Sequence, residues 1–126
     1  MKELKFYRCM HCGNIVQMVN DSGIVPFCCG EAMNLLVANT SDGAGEKHVP
    51  AVTVEGNLVK VQVGEVIHPM LPEHHIEWIY LHTENGGQFK YLPVDGEPVA
   101  EFTLHGDQLV VAYEYCNLHG LWKYEI

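Results

Sequence analysis

The segment AVTVEGNLVKVQV, residues 51–63, sets the expectation for the fold. In its second half, three valines alternate with Lys60 and Gln62, which is the period-2 pattern of a strand with one buried face. Between the two apolar halves stands Glu55-Gly56-Asn57, a turn signal of the kind that closes a hairpin. The segment therefore predicts a β-hairpin with strands over 51–54 and 58–63.

The chain beyond this hairpin continues in the same manner. Turn-forming clusters at 85–87, 95–96 and 106–107 separate apolar stretches. We expect further strands over residues 75–82, 88–92, 99–104 and 109–115. No window of about 11 residues or more keeps a convincing helical period, and no internal repeat is present. Short strands at this spacing predict a β-sandwich.

The first part of the chain has a different composition. Residues 1–37 carry four of the five cysteines and many turn formers. Residues 38–46 are small and polar and are interpreted as a linker. The chain, at 126 residues, has room for two small domains. We expect a small metal domain over 1–37 and a β-sandwich domain over 38–126, and thus a mainly β protein.

Composition narrows the function. The formal net charge is −9 and the seven Lys and Arg residues form no basic stripe, so nucleic acid is not an expected partner. No apolar run reaches the roughly 18 residues of a membrane span, and no apolar signal segment follows the first residues. A cytoplasmic location is therefore expected. An odd number of cysteines in such a chain argues against disulfides, and eight histidines beside them suggest metal.

The N-terminal cysteines have metal-ligand spacing. Cys9 and Cys12 form a C-x-x-C motif followed by Gly13, and Cys28-Cys29 precede Gly30. Four thiolates arranged in this way can close a tetrahedral set around zinc or iron. The alternative is a redox dithiol with two buried cysteines. A site filled by four sulfurs leaves no position for substrate, so its expected role is to pass or store one electron.

The adjacent Cys28-Cys29 pair distinguishes this module from the usual zinc ribbon, in which both halves are C-x-x-C. Residues 1–37 resemble the desulforedoxin module, a small rubredoxin-like iron fold whose second half also ends in Cys-Cys-Gly. The resemblance implies an iron centre at these four cysteines. His11, inside the first turn, is expected to be a solvent-exposed turn residue.

Three further clusters carry imidazoles and a thiol, each at the end of a predicted strand or in a loop. They are Glu46-Lys47-His48-Val49-Pro50, the stretch from His68-Pro69-Met70 to His74, and Tyr115-Cys116-Asn117-Leu118-His119-Gly120. A lone histidine is more often a surface group, and Cys116 alone could be a buried thiol. The Cys-x-x-His spacing is stronger, because both side chains reach one ion from a single turn. Four histidines and one thiolate would leave a sixth position open, which favours a redox metal such as iron over zinc.

Together the clusters closely resemble the desulfoferrodoxin family, the two-iron superoxide reductases, along the whole chain. The resemblance implies an immunoglobulin-like sandwich over 38–126, a homodimer, and a ferrous iron with Cys116 as its axial ligand. It also implies four equatorial ligands, namely His48, His68, His74 and His119. The N-terminal cysteines place the chain with the two-iron members of that family.

The same resemblance implies the chemistry. Superoxide would be reduced to hydrogen peroxide, and a rubredoxin-like carrier would return the electron. Lys47 would guide superoxide and hydrogen-bond the bound product, and Glu46 would occupy the open position in the oxidised state. On charge pattern alone, Lys47 and Glu46 are equally well explained as a solvated pair. A pure electron-transfer protein and a structural zinc protein are the competing classes.

One position departs from the family. His75 follows His74, where relatives commonly carry an aromatic residue. Neighbouring residues of a strand point to opposite faces, so only one of the two can be an ordinary ligand. The H-P-M-x-x-x-H pattern selects His74, and His75 is expected beside the site or at the surface. His82 and His105 match no motif and are expected to be solvated.

Overall fold

The fold was taken from a computed structural model, which describes residues 3–126. The chain divides into two compact units, residues 1–37 and 38–126. Among the described residues, no helix has the length and apolar character needed to cross a membrane. The expectation of a mainly β protein is confirmed, since almost all regular structure is strand.

The N-terminal unit is built from very short strands. They are β1 (Phe6–Arg8), β2 (Ile15–Gln17), β3 (Phe27–Cys28), β4 (Glu31–Ala32) and β5 (Asn34–Leu35). Strands β2, β1 and β5 form one antiparallel sheet, and β3 pairs with β4 as a hairpin. The buried cluster is small and consists of Tyr7, Cys9 and Met33, with Met18 and Cys28 packed against it. A core of this size rarely stabilises a domain by itself, so a metal is expected to contribute to folding.

The C-terminal unit consists of two antiparallel sheets. Its elements are α1 (Gly45–His48), β6 (Pro50–Glu55), β7 (Leu58–Val63), β8 (Ile76–Thr83), β9 (Gly86–Tyr91), β10 (Val99–Thr103), β11 (Leu109–Cys116) and β12 (Gly120–Glu125). One sheet has the order β10-β7-β6 and the other the order β12-β11-β8-β9. The predicted sandwich is thereby confirmed.

The core of this unit comes from the alternating strands that the sequence indicated. Val59, Val61 and Val63 of β7 have no exposed surface, whereas Lys60 between them is exposed. They pack with residues of the second sheet, such as Ile79. Each fully buried aliphatic side chain stabilises the fold by roughly 1.5–3 kcal/mol. This packing fixes the face that each strand presents to the core.

The predicted strands are present with shifted ends. The first hairpin closes through a two-residue turn, because Glu55 pairs with Leu58, and Gly56 there adopts a positive φ of 57°. Strand β12 was not expected, since Leu121 and Trp122 are adjacent and both buried, which breaks the period-2 pattern.

The interpretation of residues 38–46 as a linker is wrong. The Asn39 side chain accepts a hydrogen bond from the Lys123 N–H and donates one to the Lys123 carbonyl. The Asn39 N–H donates to the Leu121 carbonyl, so this segment lies against β12. Residues 45–48 then form the single turn α1.

Candidate metal centres

Five donor side chains meet at one end of the sandwich. His48 ends α1, and His68 and His74 lie in the connection from β7 to β8. Cys116 ends β11, and His119 lies in the turn before β12. Strand register explains the convergence, because Cys116 pairs with both Ile76 and Gly120, the first residues of the neighbouring strands. Sites of this kind are precise because the strand ends are held by the sheet.

The spacing of the donor atoms suits one metal ion. The His48 Nε2 atom lies 3.1 Å from His68 Nε2 and 3.1 Å from His119 Nδ1. A square of nitrogens about 2.1 Å from a metal has edges of about 3.0 Å. The Cys116 Sγ atom lies 3.6 Å from His68 Nε2 and 3.9 Å from His119 Nδ1. All five donor atoms lie within 4.8 Å of one another.

The rings occupy the corners of a four-sided base. The centroids of His48 and His74 are 6.4 Å apart, whereas each is closer to its other histidine neighbours, at 4.5–5.1 Å. His48 and His74 therefore lie at opposite corners. The His74 Nε2 atom is buried and has no hydrogen-bond partner among the described residues. An orphaned nitrogen directed at four other donors is what a metal site requires, since buried polar atoms are otherwise paired.

Two of the rings are oriented by backbone carbonyls. The His48 Nδ1 atom lies 2.9 Å from the Ala44 carbonyl, and the His68 Nδ1 atom lies 2.7 Å from the Pro69 carbonyl. Each ring then carries its proton on Nδ1 and offers the lone pair of Nε2 to the centre. Such outer hydrogen bonds set the tautomer of metal-binding histidines.

The electrostatics favour neutral imidazoles. Burial lowers the pKa of His68 to about 4 and lowers the pKa of His48 and His74 from the ordinary value. Metal binding requires the deprotonated ring nitrogen, so these ligands need no proton release near neutral pH. Burial raises the pKa of the Cys116 thiol, partly opposed by the His119 and Leu118 N–H groups. A cation at the centre is what would stabilise the thiolate.

A strap over residues 41–44 covers one side of the site. The Ser41 hydroxyl and the Trp122 indole N–H both donate to the His119 carbonyl. The Trp122 ring stacks on His48, with centroids 4.9 Å apart. A Cβ atom at Gly43 would lie 3.2 Å from both the His48 and Trp122 rings, so a larger residue here would require one of these rings to shift by a few tenths of an ångström.

Lys47 and Glu46 lie exposed on α1, beside the clustered donor His48. Burial is the main cause of the lowered pKa of His48 and His74, and the positive charge of Lys47 is a smaller one. Within residues 3–126, the structure gives Lys47 no ion pair. The backbone of this turn lies against Gly64, where a Cβ atom would approach the Glu46 carbonyl oxygen to 2.7 Å. Lys47 therefore presents an unneutralised charge from a closely packed turn.

The four N-terminal cysteines form the second centre. Their sulfurs lie within 4.8 Å of one another, with 3.6 Å between Cys12 and Cys28 and 3.9 Å between Cys28 and Cys29. A tetrahedron of sulfurs about 2.3 Å from a metal has edges of about 3.8 Å. The Cys12 N–H lowers the pKa of Cys9 to about 6, and hydrogen bonding with Cys12 raises the pKa of Cys29 to about 12. A bound cation would let all four ionise together.

The remaining histidines lie outside both centres. His75 is not one of the five clustered donors, and its Nδ1 atom lies 2.9 Å from the Leu71 carbonyl. His11 is exposed, as expected, and pairs with Glu31 at 3.0 Å. His105 is exposed, but His82 is half-buried and its burial lowers the pKa, so the expectation of solvation is wrong for His82.

Sequence reasoning did not single out Trp122, Gly64 or Asn117 as parts of the site. Only the glycine was detectable in principle, as a residue that permits close backbone approach. Trp122 stacks on His48 and Asn117 binds the His75 N–H through its side chain, and in both cases the partner is more than 40 residues away, so neither contact can be inferred from the local sequence.

The fold and the two donor sets define a metalloprotein with a four-cysteine module and a β-sandwich that carries four histidines and one cysteine. The expectation of two metal-binding sites is confirmed. Residues 40–125 match the Desulfoferrodoxin family model, and residues 1–36 match the model of the desulfoferrodoxin N-terminal domain. The chain belongs to the desulfoferrodoxin family.

Individual relatives agree with this assignment. The chain is 49% identical over 123 residues to the desulfoferrodoxin of Nitratidesulfovibrio vulgaris, covering 98% of this chain and 97% of that protein. Its sequence is 44% identical to that of the superoxide reductase from Treponema pallidum, for which there is a crystal structure. The two structures match with a TM-score of 0.83, and the match covers 98% of this chain and 100% of the other. The superoxide reductase of Pyrococcus horikoshii is 44% identical over 110 residues, covering 69% of this chain and 91% of that protein.

Proposed function

We propose that the protein is a superoxide reductase, which reduces superoxide to hydrogen peroxide at an iron held by His48, His68, His74, Cys116 and His119. One observation carries the proposal, namely the convergence of these five donors with one buried imidazole nitrogen left unpaired. Membership in a family whose relatives include superoxide reductases supports it. The four-cysteine site would hold a second iron as an accessory electron-transfer centre.

Iron is the metal that the donor chemistry favours. Imidazole nitrogen and thiolate sulfur are both good ligands for iron, and zinc rarely keeps five protein ligands. When bound, iron supplies the electron that superoxide takes and then accepts one from a reductant. The Cys116 thiolate would stabilise the more oxidised form by electron donation.

The protein's own residues handle the anion and the protons. Superoxide carries one negative charge, and the protein's formal charge is −9, so attraction must be local. Lys47 supplies an exposed positive charge beside His48. Reduction consumes one electron and two protons for each superoxide, and the Lys47 ammonium would hydrogen-bond the product while water delivers the protons. Glu46 is proposed as the carboxylate that fills the open position in the oxidised state.

The N-terminal centre suits electron exchange. Cys12 and Cys29 are exposed, which brings two of the four sulfurs to the surface of the unit. The electron donor is proposed to be a rubredoxin-like carrier, and the protein a cytoplasmic homodimer, on the strength of the family resemblance.

The test combines metal analysis with product analysis. The purified protein is assayed for iron and zinc, its visible spectrum is recorded, and the reduced protein then receives pulses of superoxide. We expect two irons per chain, visible thiolate-to-ferric absorption, and one hydrogen peroxide per superoxide with no oxygen released.

Three outcomes would contradict the proposal. Oxygen release with half the peroxide would indicate dismutation. Oxidation and reduction of the protein without peroxide formation from superoxide would favour a pure electron carrier. A colourless protein that contains zinc would favour a structural role.

A further inference from the structure

His74 is held differently from His48 and His68. The rings of His48 and His68 are oriented by hydrogen bonds to the carbonyls of Ala44 and Pro69. The structure gives the His74 ring no such bond within residues 3–126, and its only ring contacts are with the other histidines of the site. His74 is also half-buried, whereas His48 and His68 are 2% and 1% exposed. Its position must therefore be fixed through its backbone.

The backbone on both sides of His74 is bound by one side chain. The side-chain oxygen Oδ1 of Asn117 accepts a hydrogen bond from the His75 N–H at 2.9 Å, and the side-chain NH₂ of Asn117 donates to the Glu73 carbonyl at 3.1 Å. The Asn117 N–H also donates to the His75 carbonyl at 3.2 Å. Asn117 thus grips the residues immediately before and after His74.

The position of Asn117 in the chain connects these hydrogen bonds to the other donor residues. It follows Cys116 directly and precedes His119 by two residues, so it belongs to the turn that carries two of the five donors. Among the described residues, the other hydrogen bonds to the backbone around His74 join members of the same loop; they include a pair between Leu71 and His74 that closes a local bridge, and a bond from the Ile76 N–H to the Met70 Sδ atom. That bridge is internal to the loop and does not connect it to the other ligands.

We propose that Asn117 is a positioning residue that fixes His74 relative to Cys116 and His119. Hydrogen bonds to carbonyl groups orient the rings of His48 and His68 directly, whereas Asn117 would orient His74 through the backbone on either side of it. The proposal rests on the ligand set given under the proposed function. His74 lies opposite His48 in the base. Loss of the Asn117 hydrogen bonds would therefore loosen one corner, while His48 and His68 keep their ring-to-carbonyl bonds and His119 keeps the bonds that Ser41 and Trp122 donate to its carbonyl.

The size of the effect follows from what outer partners of metal ligands do. Removing such a partner typically weakens metal binding about 10–100-fold. For Asn117→Ala we expect iron loss from the four-histidine centre to a chelator to become about tenfold faster. The EPR spectrum of the oxidised centre should change in rhombicity, because one equatorial nitrogen is displaced.

A matched control lies at the other end of the same strand pair. Asp107 accepts hydrogen bonds from the Thr83 hydroxyl and from the Asn85 and Gln108 N–H groups. It fastens the ends of β8 and β11 that are about 24 Å from the site, counting seven residues at about 3.4 Å each. Asp107→Ala therefore removes a similar set of bonds from the same strands and leaves the ligand turn alone.

The experiment measures iron release, EPR and thermal stability on the iron-loaded full chain for the parent, Asn117→Ala, Asn117→Asp and Asp107→Ala. The proposal expects faster release and an altered EPR spectrum in Asn117→Ala, and neither change in Asp107→Ala at a comparable loss of melting temperature. Asn117→Asp keeps the acceptor for the His75 N–H and loses the donor to Glu73, so its release rate should lie between those of the parent and Asn117→Ala. It also carries the test if Asn117→Ala does not fold.

The four-cysteine iron serves as an internal reference and should be lost at the parental rate in every variant. Parental release and EPR in both Asn117 variants would overturn the proposal, as would equal changes in Asp107→Ala. None of these three measurements uses superoxide, so a failure here is distinguishable from a failure of the proposed activity.

Discussion

Replacing Lys47 with alanine tests whether this chain's own charge captures the substrate. Lys47 is exposed on α1, is not one of the clustered donor residues, and acts on the site through its charge. The variant should therefore keep its iron and its visible spectrum. It should lose local attraction for an anion, and the second-order rate of the reduced protein with superoxide should fall.

The expected fall is about tenfold at low ionic strength. A unit charge about 8 Å from an approaching anion contributes between about 0.5 kcal/mol at the permittivity of water and about 2 kcal/mol at an effective value of about 20. A tenfold change in rate corresponds to about 1.4 kcal/mol, which lies within this range. The site opens at the protein surface, since His74 and His119 are half-buried, so an intermediate permittivity applies.

The assay is pulse-generated superoxide reacting with the reduced protein at two salt concentrations. Raising the ionic strength should slow the parent and narrow its difference from Lys47→Ala, because salt screens charges over about 8–10 Å near 0.1–0.15 M. Release of hydrogen peroxide should change less than capture.

Two variants separate position from charge. Lys90→Ala makes the same change in formal net charge, from −9 to −10, at a lysine of β9 that pairs with Ile79, in the middle of β8 and not at the end that carries the site, so it should lower the rate far less. Lys47→Arg keeps the charge and should restore most of the rate. An unchanged rate in Lys47→Ala, or an equal fall in Lys90→Ala, would refute the idea that Lys47 steers the anion.

Three further predictions concern the sites and the core. Cys12→Ser should disrupt the N-terminal iron and leave superoxide reduction largely intact; loss of activity with the other iron still bound would show that the sandwich unit does not act alone. His74→Ala should lose or deform the four-histidine centre, whereas His75→Ala should retain it. Iron content is measured on both variants, and loss of iron from His75→Ala alone would show that His75, and not His74, is the ligand. Glu114 is fully buried, no described residue hydrogen-bonds its carboxylate oxygens, and burial raises its pKa well above the usual range. Glu114→Leu should therefore raise the free energy of unfolding, measured by urea titration, by about 1–3 kcal/mol. A loss of stability would show that the carboxyl group has a partner.

Acid stability gives a fifth prediction. The Thr83 hydroxyl and nearby N–H groups lower the pKa of Asp107 below its ordinary value of 3.8. A carboxyl group with a lowered folded-state pKa stabilises the protein above its unfolded-state pKa and loses that contribution as the pH falls through the folded value. The stability difference between the parent and Asp107→Asn should therefore be full near neutral pH and shrink below about pH 4. A difference that is constant from pH 7 to pH 3 would contradict this.

The sequence was sufficient where the physics is local. The alternation of valines with Lys60 and Gln62 determined which face of β7 is buried, because side chains of a strand point alternately to opposite sides. The spacing of Cys9 with Cys12 and of Cys116 with His119 indicated metal, because ligands on one tight turn reach one ion without help from the rest of the fold. The family resemblance supplied the four-histidine set, which the structure brings together at the end of the sandwich.

Only the tertiary structure decided the contacts between segments distant in sequence. Residues 38–46 have the composition of a linker, yet Asn39 and Gly43 pack against β12 and the His48 ring, since strand pairing brings β12 beside them. The hydrogen bonds from the Asn117 side chain to the backbone on either side of His74 join residues more than 40 positions apart, and neither segment has a sequence pattern that predicts them. Residue types and short spacings are enough to predict which residues are metal ligands. The orientation of those ligands depends on hydrogen bonds that exist only after the two sheets have packed.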